Sequence, residues 1–258
     1  MSEPVLCERI EPHIVRITLN RPEAMNSVDP ATTQAIDRLI EDTEADPETW
    51  VVIIRGAGDK AFCTGADLKA MSRGDHKRIG TRAGGFASFV FRPRIKPWIA
   101  SVGGYALAGG LEIALACDIV IASENAVFGL PEVRRGVIAS AGGLYRLPRS
   151  IPKAVAMDFI LTGRPINAHQ AFQYGLVSRL VSHERLDAEA LEIAQTICAN
   201  APIAVRESRL IAKRAFDLSD DELRAESGAA SKRNSLTEDY KEGPRAFVEK
   251  RSPRWIGR

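Results

Sequence analysis

The chain has 258 residues, of which 45% are hydrophobic and 26% are charged, and its formal net charge is +2. This length suits one large domain or a core with a smaller appendage, and the composition is that of a globular protein with a sizeable core. The small net charge, without a basic stripe interleaved with aromatic residues, argues against a nucleic-acid partner. The four cysteines lie far apart without a Cys-x-x-Cys pair, which argues against a zinc cage and requires no oxidising compartment.

The N-terminal residues give no sign of a targeting segment. Residues 3–11 carry three glutamates and an arginine, and they lack the apolar run of a signal peptide. The longest apolar run, residues 98–111, is interrupted by glycines and is shorter than the ~20 residues that a membrane-spanning helix needs. We therefore expect a soluble, cytoplasmic protein without a membrane partner.

The first elements of the chain are predicted to be a hairpin, a helix and a buried strand. Alternating apolar residues predict strands over residues 4–10 and 13–19, joined by a tight turn. The Asp-Pro pair at residues 29–30 predicts the start of a helix, with the aspartate as N-cap and the proline in the first turn. The apolar run at residues 50–55 predicts a buried strand.

The middle of the chain combines small-residue turns with two glutamates. Residues 62–68 are a tight segment followed by a short predicted helix, and residues 72–85 are polar and glycine-bearing, which predicts a mobile loop or a partly helical lid. Residues 96–118 predict a buried strand, a glycine-rich turn and a helix. Glu112 lies early in that helix beside apolar residues, and such a carboxylate must be paired or must change its protonation state. Glu132 follows in a short segment beside a proline.

The last third of the chain is predicted to be mostly helical. A helix is expected to start at residues 140–143, and one short strand covers residues 176–181. Strand–helix alternation in the first two-thirds predicts an α/β fold with parallel units, to which the last third adds a helical appendage. The helices predicted beyond residue 151 cover residues 152–161, 168–174, 187–200, 202–217, 219–233 and 237–250.

Five sequence blocks in chain order carry a resemblance to a known family. The strongest are Cys-Thr-Gly-Ala-Asp-Leu at residues 63–68, Gly-Tyr-Ala-Leu-Ala-Gly-Gly-Leu-Glu at 104–112 and Phe-Gly-Leu-Pro-Glu-Val at 128–133. Leu-Thr-Gly at 161–163 and Ala-Phe-Val-Glu-Lys-Arg at 246–251 add to them. Over nearly its whole length the chain resembles the crotonase superfamily, the enoyl-CoA hydratase/isomerase family. Its ending resembles a bacterial subgroup that includes carnitinyl-CoA dehydratases.

This resemblance implies an architecture, an assembly and a substrate class. It implies a crotonase-like spiral of ββα units over residues 1–195 and a C-terminal helical trimerisation region over residues 196–258. It also implies homotrimers or dimers of trimers. The implied substrate is an acyl-CoA thioester, with no metal and no redox cofactor, because coenzyme A is part of the substrate.

The resemblance places two backbone N–H donors for a thioester oxyanion at Ala66 and Gly109. The local sequence agrees, since both residues lie in small-residue turns. Gly109 is also at a predicted helix start, where free N–H groups and the helix dipole favour negative charge. The alternative is that both are ordinary turn residues.

Glu112 and Glu132 fall at the two glutamate positions of the family and are the catalytic candidates. Hydration needs a base that takes a proton from water and an acid that protonates the α-carbon, and two carboxyl groups in opposite protonation states supply both. Relatives that only shift double bonds typically lack the glutamate at 112. The pair therefore favours reversible syn addition of water to a trans-2-enoyl-CoA. The alternative is that each glutamate is salt-bridged or capping, with Arg134 and Arg135 close to Glu132 in sequence.

One departure from the family pattern concerns the expected water site. The family often has a proline-glycine pair where this chain has Ala139-Ser140, and the second position lies near the catalytic water in hydratases. Serine argues against a dienoyl-CoA isomerase, which carries an aspartate there, but it leaves the placement of the water open. The Ser140 hydroxyl is also a candidate substrate contact.

The resemblance also implies a path for coenzyme A. Phe247 and Lys250 would come from the C-terminal helix of this chain or of a neighbouring subunit, and a solvated helix face is the alternative for Lys250. Residues 72–91 are expected to set the length and polarity of the acyl chain. The residues implied to line the pantetheine and adenine path, mainly through their backbone, are Ala24, Met25, Thr64 and Leu68.

Other function classes have weaker support. The chain has four histidines and no Gly-x-Ser-x-Gly elbow, which argues against a serine hydrolase. No Gly-x-Gly-x-x-Gly follows the first strand, which argues against a nicotinamide dehydrogenase. The remaining alternatives are a carnitinyl-CoA dehydratase-like or other specialised crotonase, such as an isomerase, a CoA-thioester hydrolase or a lyase, and a catalytically silent acyl-CoA binder.

Overall fold

The computed structural model describes residues 3–258, which fold into strands β1 to β12 and helices α1 to α10. The strands are β1 (Val5–Glu11), β2 (Ile14–Leu19), β3 (Val51–Gly56), β4 (Ala61–Cys63), β5 (Gly80–Thr81), β6 (Gly85–Phe86), β7 (Trp98–Val102), β8 (Tyr105–Leu107), β9 (Ile119–Ser123), β10 (Val127–Gly129), β11 (Ile166–Asn167) and β12 (Arg179–Val181). The helices are α1 (Pro30–Ala45), α2 (Leu68–Ser72), α3 (Gly109–Ala116), α4 (Gly143–Ser150), α5 (Lys153–Thr162), α6 (Ala168–Gln173), α7 (Leu186–Cys198), α8 (Pro202–Lys213), α9 (Asp220–Ser235) and α10 (Glu238–Val248). Short 3-10 turns cover Pro22–Ala24, Asp75–Arg78, Pro131–Arg135 and His183–Arg185.

Two sheets organise the first two-thirds of the chain. The larger has the order β1-β2-β3-β7-β9-β12, in which β1 is antiparallel to β2 and the remaining pairs are parallel. The smaller has the order β11-β10-β8-β4, in which β4, β8 and β10 run parallel and β11 is antiparallel. Each of β3, β7 and β9 is followed by a strand of the smaller sheet and then by a helix. The chain therefore advances in successive ββα units.

The central strands of the larger sheet are buried on both faces. Along β3, Val52 and Ile54 pack into the main core, which lies between the sheets and the helices of the ββα units. Val51 and Ile53 point the other way and pack against α7, with Ala190 among its contacts. Burial on both faces is typical of parallel sheets, and it explains why this strand is a continuous apolar run.

The sequence predicts most of these elements correctly. The α/β class and the helical last third are confirmed. Asp29 is the N-cap of α1, since its Oδ1 accepts a hydrogen bond from the Thr32 N–H at 2.8 Å. Over residues 96–118, β7, the glycine turn and α3 are present as predicted, but the prediction missed β8 between the turn and α3.

Two segments differ from the prediction in detail. Residues 72–85 form a 3-10 turn and the short β5–β6 hairpin, and the Ser88 hydroxyl beside this hairpin donates to Asp37 of α1 at 2.5 Å. The strand predicted over residues 176–181 begins only at Arg179. Its first two residues instead donate their N–H groups to the carbonyl of Ala171 and so close the end of α6.

The C-terminal helices leave the sheets after α7. The boundary predicted at residue 195 lies inside α7, which packs on the larger sheet, and the division into two domains stays a prediction. Helices α8 and α9 pack against each other, and the tail returns to the core, where the Trp255 indole donates to the Ala199 carbonyl at 2.8 Å. Within residues 3–258, no helix combines the length and the apolar character needed to cross a membrane.

A matched pair of helical glycines tests the packing of α3. A Cβ on Gly110 would lie 2.0 Å from the Cys63 carbonyl oxygen, whereas a Cβ on Gly228 of α9 would meet no atom within 4 Å. We expect Gly110→Ala to lower the free energy of unfolding by about 1–3 kcal/mol or more, because backbone atoms must move. Gly228→Ala should raise it by about 0.5–1 kcal/mol through helix propensity. Denaturant unfolding measures both, and a Gly110→Ala protein as stable as the parent would contradict the close approach.

Candidate active site

The segment after β4 holds Ala66 in a fixed backbone conformation. The Val28 N–H donates to the Gly65 carbonyl at 2.8 Å, and the Asp67 N–H donates to the Val28 carbonyl at 2.9 Å. Ala66 is thus held on both sides by one residue of the preceding loop. Among residues 3–258, the Ala66 N–H itself finds no acceptor, so this donor is available to a ligand.

The start of α3 brings a second N–H donor to the same place. Gly109 is the first residue of the helix, where N–H groups have no intrahelical acceptor. The preceding Ala108 has φ 52° and ψ −128°, and its N–H donates to the Gly129 carbonyl at 2.8 Å. A Cβ on Gly65 would lie 3.0 Å from the Gly109 nitrogen, so the segment that carries Ala66 lies directly against this helix start. The two predicted donors are brought together.

Phe86 is a residue of this site that the sequence reasoning missed. A Cβ on Gly109 would lie 2.4 Å from Phe86 Cε1, so the half-buried ring covers the α-carbon of Gly109. Residues 86–91 contain three phenylalanines, but nothing in that pattern tells which ring reaches α3. A glycine is therefore required at position 109 because Phe86 fills the space of a Cβ, whereas the free N–H would be present in any residue except proline.

Glu112 is buried, with 3% of its surface exposed, and lies against the start of α4. Its Oε1 accepts a hydrogen bond from the Gly143 N–H at 2.9 Å. Leu130 and Ala139 close the same space, since a Cβ on Gly143 would lie 3.0 and 3.2 Å from their side chains. Burial raises the pKa of Glu112 to about 7, although the Gly143 hydrogen bond opposes the shift, and the nearby charge of Glu132 adds to it. Near neutral pH, Glu112 can therefore either hold or release a proton.

Glu132 lies in the 3-10 turn that follows β10, close enough to affect Glu112 electrostatically. Burial raises the pKa of Glu132 too, against the opposing charge of Arg135. Its Oε2 is buried, and within residues 3–258 it has no hydrogen-bond partner. Arg134 donates instead to the Thr162 carbonyl at 3.2 Å. Over the same residues, neither Glu132 nor Glu112 takes part in an ion pair, which removes the salt-bridge alternative for both carboxylates.

Part of the implied coenzyme A path assembles beside Ala66. The Thr64 hydroxyl donates to the carbonyl of Met25 at 3.3 Å, so the loop that holds Ala24 and Met25 lies next to the segment after β4. Leu68, at the start of α2, is 68% exposed. Ser140 is exposed in the loop between Glu132 and α4, and its N–H donates to the Ile138 carbonyl at 2.8 Å. Whether these residues touch coenzyme A stays a prediction.

Phe247 and Lys250 lie elsewhere in this chain. Phe247 lies in the last turn of α10, and Lys250 comes just after this helix. Helix α10 packs against α9, and Phe247 is 85% exposed. The tail after α10 runs to Gly257, where a Cβ would lie 3.7 Å from the indole nitrogen of Trp50. Trp50 precedes β3, whereas Ala66 lies between β4 and α2 of the same ββα unit. Whether Phe247 and Lys250 share a coenzyme A path with Thr64 and Leu68 stays a prediction.

The raised pKa of Glu112 predicts a pH-dependent stability. Because the folded protein binds this proton more tightly than the unfolded chain, stability falls as the pH rises from about 4.5 to about 7. Glu112→Gln removes the ionisation and keeps an acceptor for Gly143. We expect this variant to exceed the parent in free energy of unfolding by up to about 3 kcal/mol at pH 8 and by less than about 1 kcal/mol at pH 5.

Denaturant titrations at both pH values measure this difference. The control is Glu124→Gln, which changes an exposed glutamate outside the site and should shift stability equally at the two pH values. A constant difference between Glu112→Gln and the parent from pH 5 to pH 8 would show that Glu112 is ionised in the folded protein throughout.

Comparisons with known proteins identify the family of this arrangement. The profile of the enoyl-CoA hydratase/isomerase family matches residues 9–258. A carnitinyl-CoA dehydratase of Proteus mirabilis (strain HI4320) is 40% identical over 250 residues, which are 95% of each chain. The crystal structure of an enoyl-CoA hydratase from Mycobacterium tuberculosis H37Rv superposes with a TM-score of 0.95 at 40% identity, and a carnitinyl-CoA hydratase from Mycobacterium avium with a TM-score of 0.78 at 41% identity, each over 100% of both chains. The chain belongs to the enoyl-CoA hydratase/isomerase family, the crotonase superfamily.

Proposed function

We propose that this protein is a hydro-lyase that catalyses the reversible syn addition of water to a trans-2-enoyl-CoA. One observation carries the proposal: two carboxyl groups with raised pKa values, Glu112 and Glu132, lie close together without ion-pair partners among residues 3–258. The reaction also needs donors that stabilise the negative charge on the thioester oxygen, and the N–H groups of Ala66 and Gly109 would serve as these donors. Family membership supports the same reaction class.

The two backbone donors would act on the thioester oxygen. When water adds to C3 of the conjugated thioester, the electrons of the C2–C3 double bond shift towards C2 and the thioester oxygen. Negative charge therefore develops on that oxygen. N–H groups that already point at this position stabilise the charge without reorganising, and the loss of one such donor typically costs about 3–4 kcal/mol. The start of α3 adds the positive end of its dipole at Gly109.

The two glutamates divide the proton transfers. In our proposal Glu112 is the base, because the Gly143 N–H at the start of α4 stabilises its charged form. It accepts a proton from water while the hydroxyl oxygen bonds to C3. Glu132 is the acid, because a buried Oε2 without a hydrogen-bond partner among residues 3–258 favours the protonated form, and it delivers its proton to C2. This protonation of the enolate gives the 3-hydroxyacyl-CoA, and proton exchange with solvent then returns Glu112 to its ionised form and Glu132 to its protonated form.

This reaction balances without a cofactor. Water and the double bond supply every atom of the product, and neither carbon chain nor protein changes its overall oxidation state. We therefore propose that coenzyme A enters only as part of the substrate. The steps run equally in reverse, in which Glu132 removes the C2 proton and Glu112 protonates the departing hydroxyl group.

A more specialised dehydratase is the second candidate. The curated relatives at about 40% identity are carnitinyl-CoA dehydratases, which favours a polar 3-hydroxyacyl-CoA over a plain fatty acyl chain. Ala139, which with Ser140 stands where the family often has proline and glycine, lies close to Glu112, and this pair fits an altered substrate or water position. Phe86 and the β5–β6 hairpin lie where they would contact the acyl chain.

The assembly is also a proposal. A cavity of about 1090 Å³ lies between α4 and the helices α8 and α9, and exposed apolar side chains line it, among them Phe91, Tyr145 and Phe216. Apolar surfaces of this kind mark protein–protein contacts, which supports a trimer or a dimer of trimers. In such an assembly Phe247 and Lys250 would reach the coenzyme A of a neighbouring subunit. A cytoplasmic location stays a prediction.

Hydration of an enoyl-CoA and dehydration of carnitinyl-CoA can both be followed by the absorbance of the conjugated thioester. Hydration of crotonyl-CoA and its longer homologues should remove the absorbance of the conjugated thioester, and dehydration of carnitinyl-CoA should create it. We expect turnover in at least one of these assays. Turnover of carnitinyl-CoA alone would favour the specialised dehydratase, and no turnover with any of these substrates would refute the hydro-lyase.

Two isosteric variants test the assignment of the glutamates. Glu112→Gln and Glu132→Gln remove an acid–base group without changing its shape, and each should lower kcat by about 10²–10⁴-fold. Circular dichroism should show that both variants fold. Glu124→Gln is the matched control and should keep the parental kcat. A loss of less than tenfold in either site variant would remove that glutamate from the mechanism.

A further inference from the structure

Arg21 connects two parts of the chain that meet at the proposed oxyanion hole. Its guanidinium donates from one nitrogen to the Ser27 carbonyl at 2.6 Å. The other terminal nitrogen donates to Asp67 Oδ2 at 2.7 Å and lies 3.3 Å from Asp29 Oδ2. The side chain is only 19% exposed, so these contacts are largely shielded from water.

Both carboxylate oxygens of Asp67 accept hydrogen bonds in this arrangement. Its Oδ1 accepts from the N–H groups of Lys69 at 2.8 Å and Ala70 at 3.1 Å, which caps α2, and its Oδ2 accepts from Arg21. Burial acts to raise the pKa of Asp67, but the hydrogen bonds from Arg21 and from the α2 backbone outweigh it, and the pKa is lowered. The carboxylate is therefore ionised and paired at neutral pH. The contact with Arg21 is additional to its role as the cap of α2.

The contacts of Arg21 lie on both sides of the bridge that holds Ala66. On one strand, Ser27 and Asp29 flank Val28, the residue that pairs with Ala66. On the other strand, Asp67 follows Ala66 directly. One rigid planar group therefore spans the bridge and joins its two strands. Arginine suits this task because its guanidinium presents several donors in a fixed geometry, which lysine does not.

The guanidinium is not the only group that holds this loop. Asn26 fixes the loop independently, since its side-chain amide donates to the carbonyls of Ala57 at 3.0 Å and Ala61 at 2.7 Å, and its Oδ1 accepts from the Arg21 backbone N–H at 3.0 Å. The side chain of Arg21 adds a different constraint, namely the distance and angle between the two bridged strands.

We propose that Arg21, through Asp67, is a positioning residue that fixes the direction of the Ala66 N–H in the oxyanion hole. Arg21 touches neither the substrate nor the reacting atoms in this assignment. It acts through the bridge, and Asp67 is its anchor on the strand that carries Ala66. The inference rests on the proposed function of that hole, and it adds a residue outside the site on which the hole's geometry depends.

Three variants separate positioning from folding. Arg21→Gln removes the charge and the fork of donors, Arg21→Lys keeps a charge without the fork, and Asp67→Asn keeps Oδ1 for the α2 cap but loses the ionised partner. The matched control is Arg16→Gln, which breaks the Arg16–Glu8 pair at 2.7 Å on the β1–β2 hairpin, away from the site. All rates are expressed per folded protein.

The first readout is the steady-state rate with the best enoyl-CoA substrate. We expect Arg21→Gln and Asp67→Asn each to lower kcat by about 10–100-fold, since a donor displaced by about 1 Å loses much of its effect, while KM changes less than kcat. Arg21→Lys should recover only part of this loss. The double variant should lose no more than either single one, because the two residues act as a unit. Arg16→Gln should keep the parental kcat.

The second readout reports on the hole without turnover. Acetoacetyl-CoA ionises to an enolate whose absorbance differs from that of the neutral form, and donors to the thioester oxygen favour that enolate. At fixed pH, the ratio of bound enolate to bound neutral ligand should fall about tenfold in Arg21→Gln and Asp67→Asn relative to the parent. A role confined to stability would leave this ratio unchanged in the folded fraction.

The outcomes distinguish this inference from the proposed function. If the parent turns over no acyl-CoA yet the enolate ratio falls in the variants, the positioning role stands and the hydro-lyase is refuted. If folded Arg21 and Asp67 variants keep the parental kcat and enolate ratio, or if Arg16→Gln loses as much, the positioning role is refuted. Should Arg21→Gln fail to fold, Arg21→Lys and Asp67→Asn decide the question by the same measurements.

Discussion

The start of α3 and the segment after β4 approach each other more closely than side chains allow. At Gly110 the carbonyl of Cys63 occupies the position of a Cβ, and at Gly109 the ring of Phe86 does so. This contact places the two free N–H groups of Ala66 and Gly109 next to each other. It also sets where α3 begins, and therefore where Glu112, one turn further on, meets the start of α4. The geometry of the whole site depends on it.

The same helix ends that hold the site together also control its charges. Glu112 is buried deeply enough for its pKa to rise, but the Gly143 N–H keeps its ionised form accessible. The carboxylate of Asp67 is also buried, though less deeply, and three hydrogen bonds, one of them from the Arg21 guanidinium, hold it ionised. The two cases differ in the number of donors that reach the carboxylate. Proton exchange is therefore confined to the carboxyl groups with few partners, which are the two glutamates of the proposed mechanism.

Much of the fold could be predicted from the sequence because its signals are local. The Asp-Pro pair at residues 29–30 starts α1, and the glycines before Glu112 start α3. The family blocks place both glutamates and both N–H donors, and the structure brings these four residues close together. Their roles still depend on the kinetic tests. At residues 72–85 such local signals are missing, and the hairpin there was not predicted. Hydrogen bonds to a distant helix, such as that from Ser88 to Asp37, help to shape this hairpin, and no short sequence pattern encodes them.

Long-range contacts account for the rest. Phe86 contacts Gly109 across about 20 residues of sequence, and Arg21 contacts Asp67 across about 45. Neither pair has a spacing that predicts the contact. The roles predicted for Phe247 and Lys250 stay predictions, because they concern coenzyme A and the proposed assembly. By contrast, the apolar run at residues 50–55 predicted a buried strand correctly, and the structure shows that Val51 to Ile54 alternate between two cores.

The proposed oxyanion hole is made from main-chain groups, and this has a genetic consequence. Every codon at position 66 except those for proline still encodes an N–H group there, so most point mutations cannot delete that donor. The side chains around it are free to drift, and a lineage can explore new acyl groups while keeping the means to stabilise an enolate. Loss of function by mutation should then concentrate at a few positions: the glycines where a methyl group has no room, and the carboxylates that carry protons.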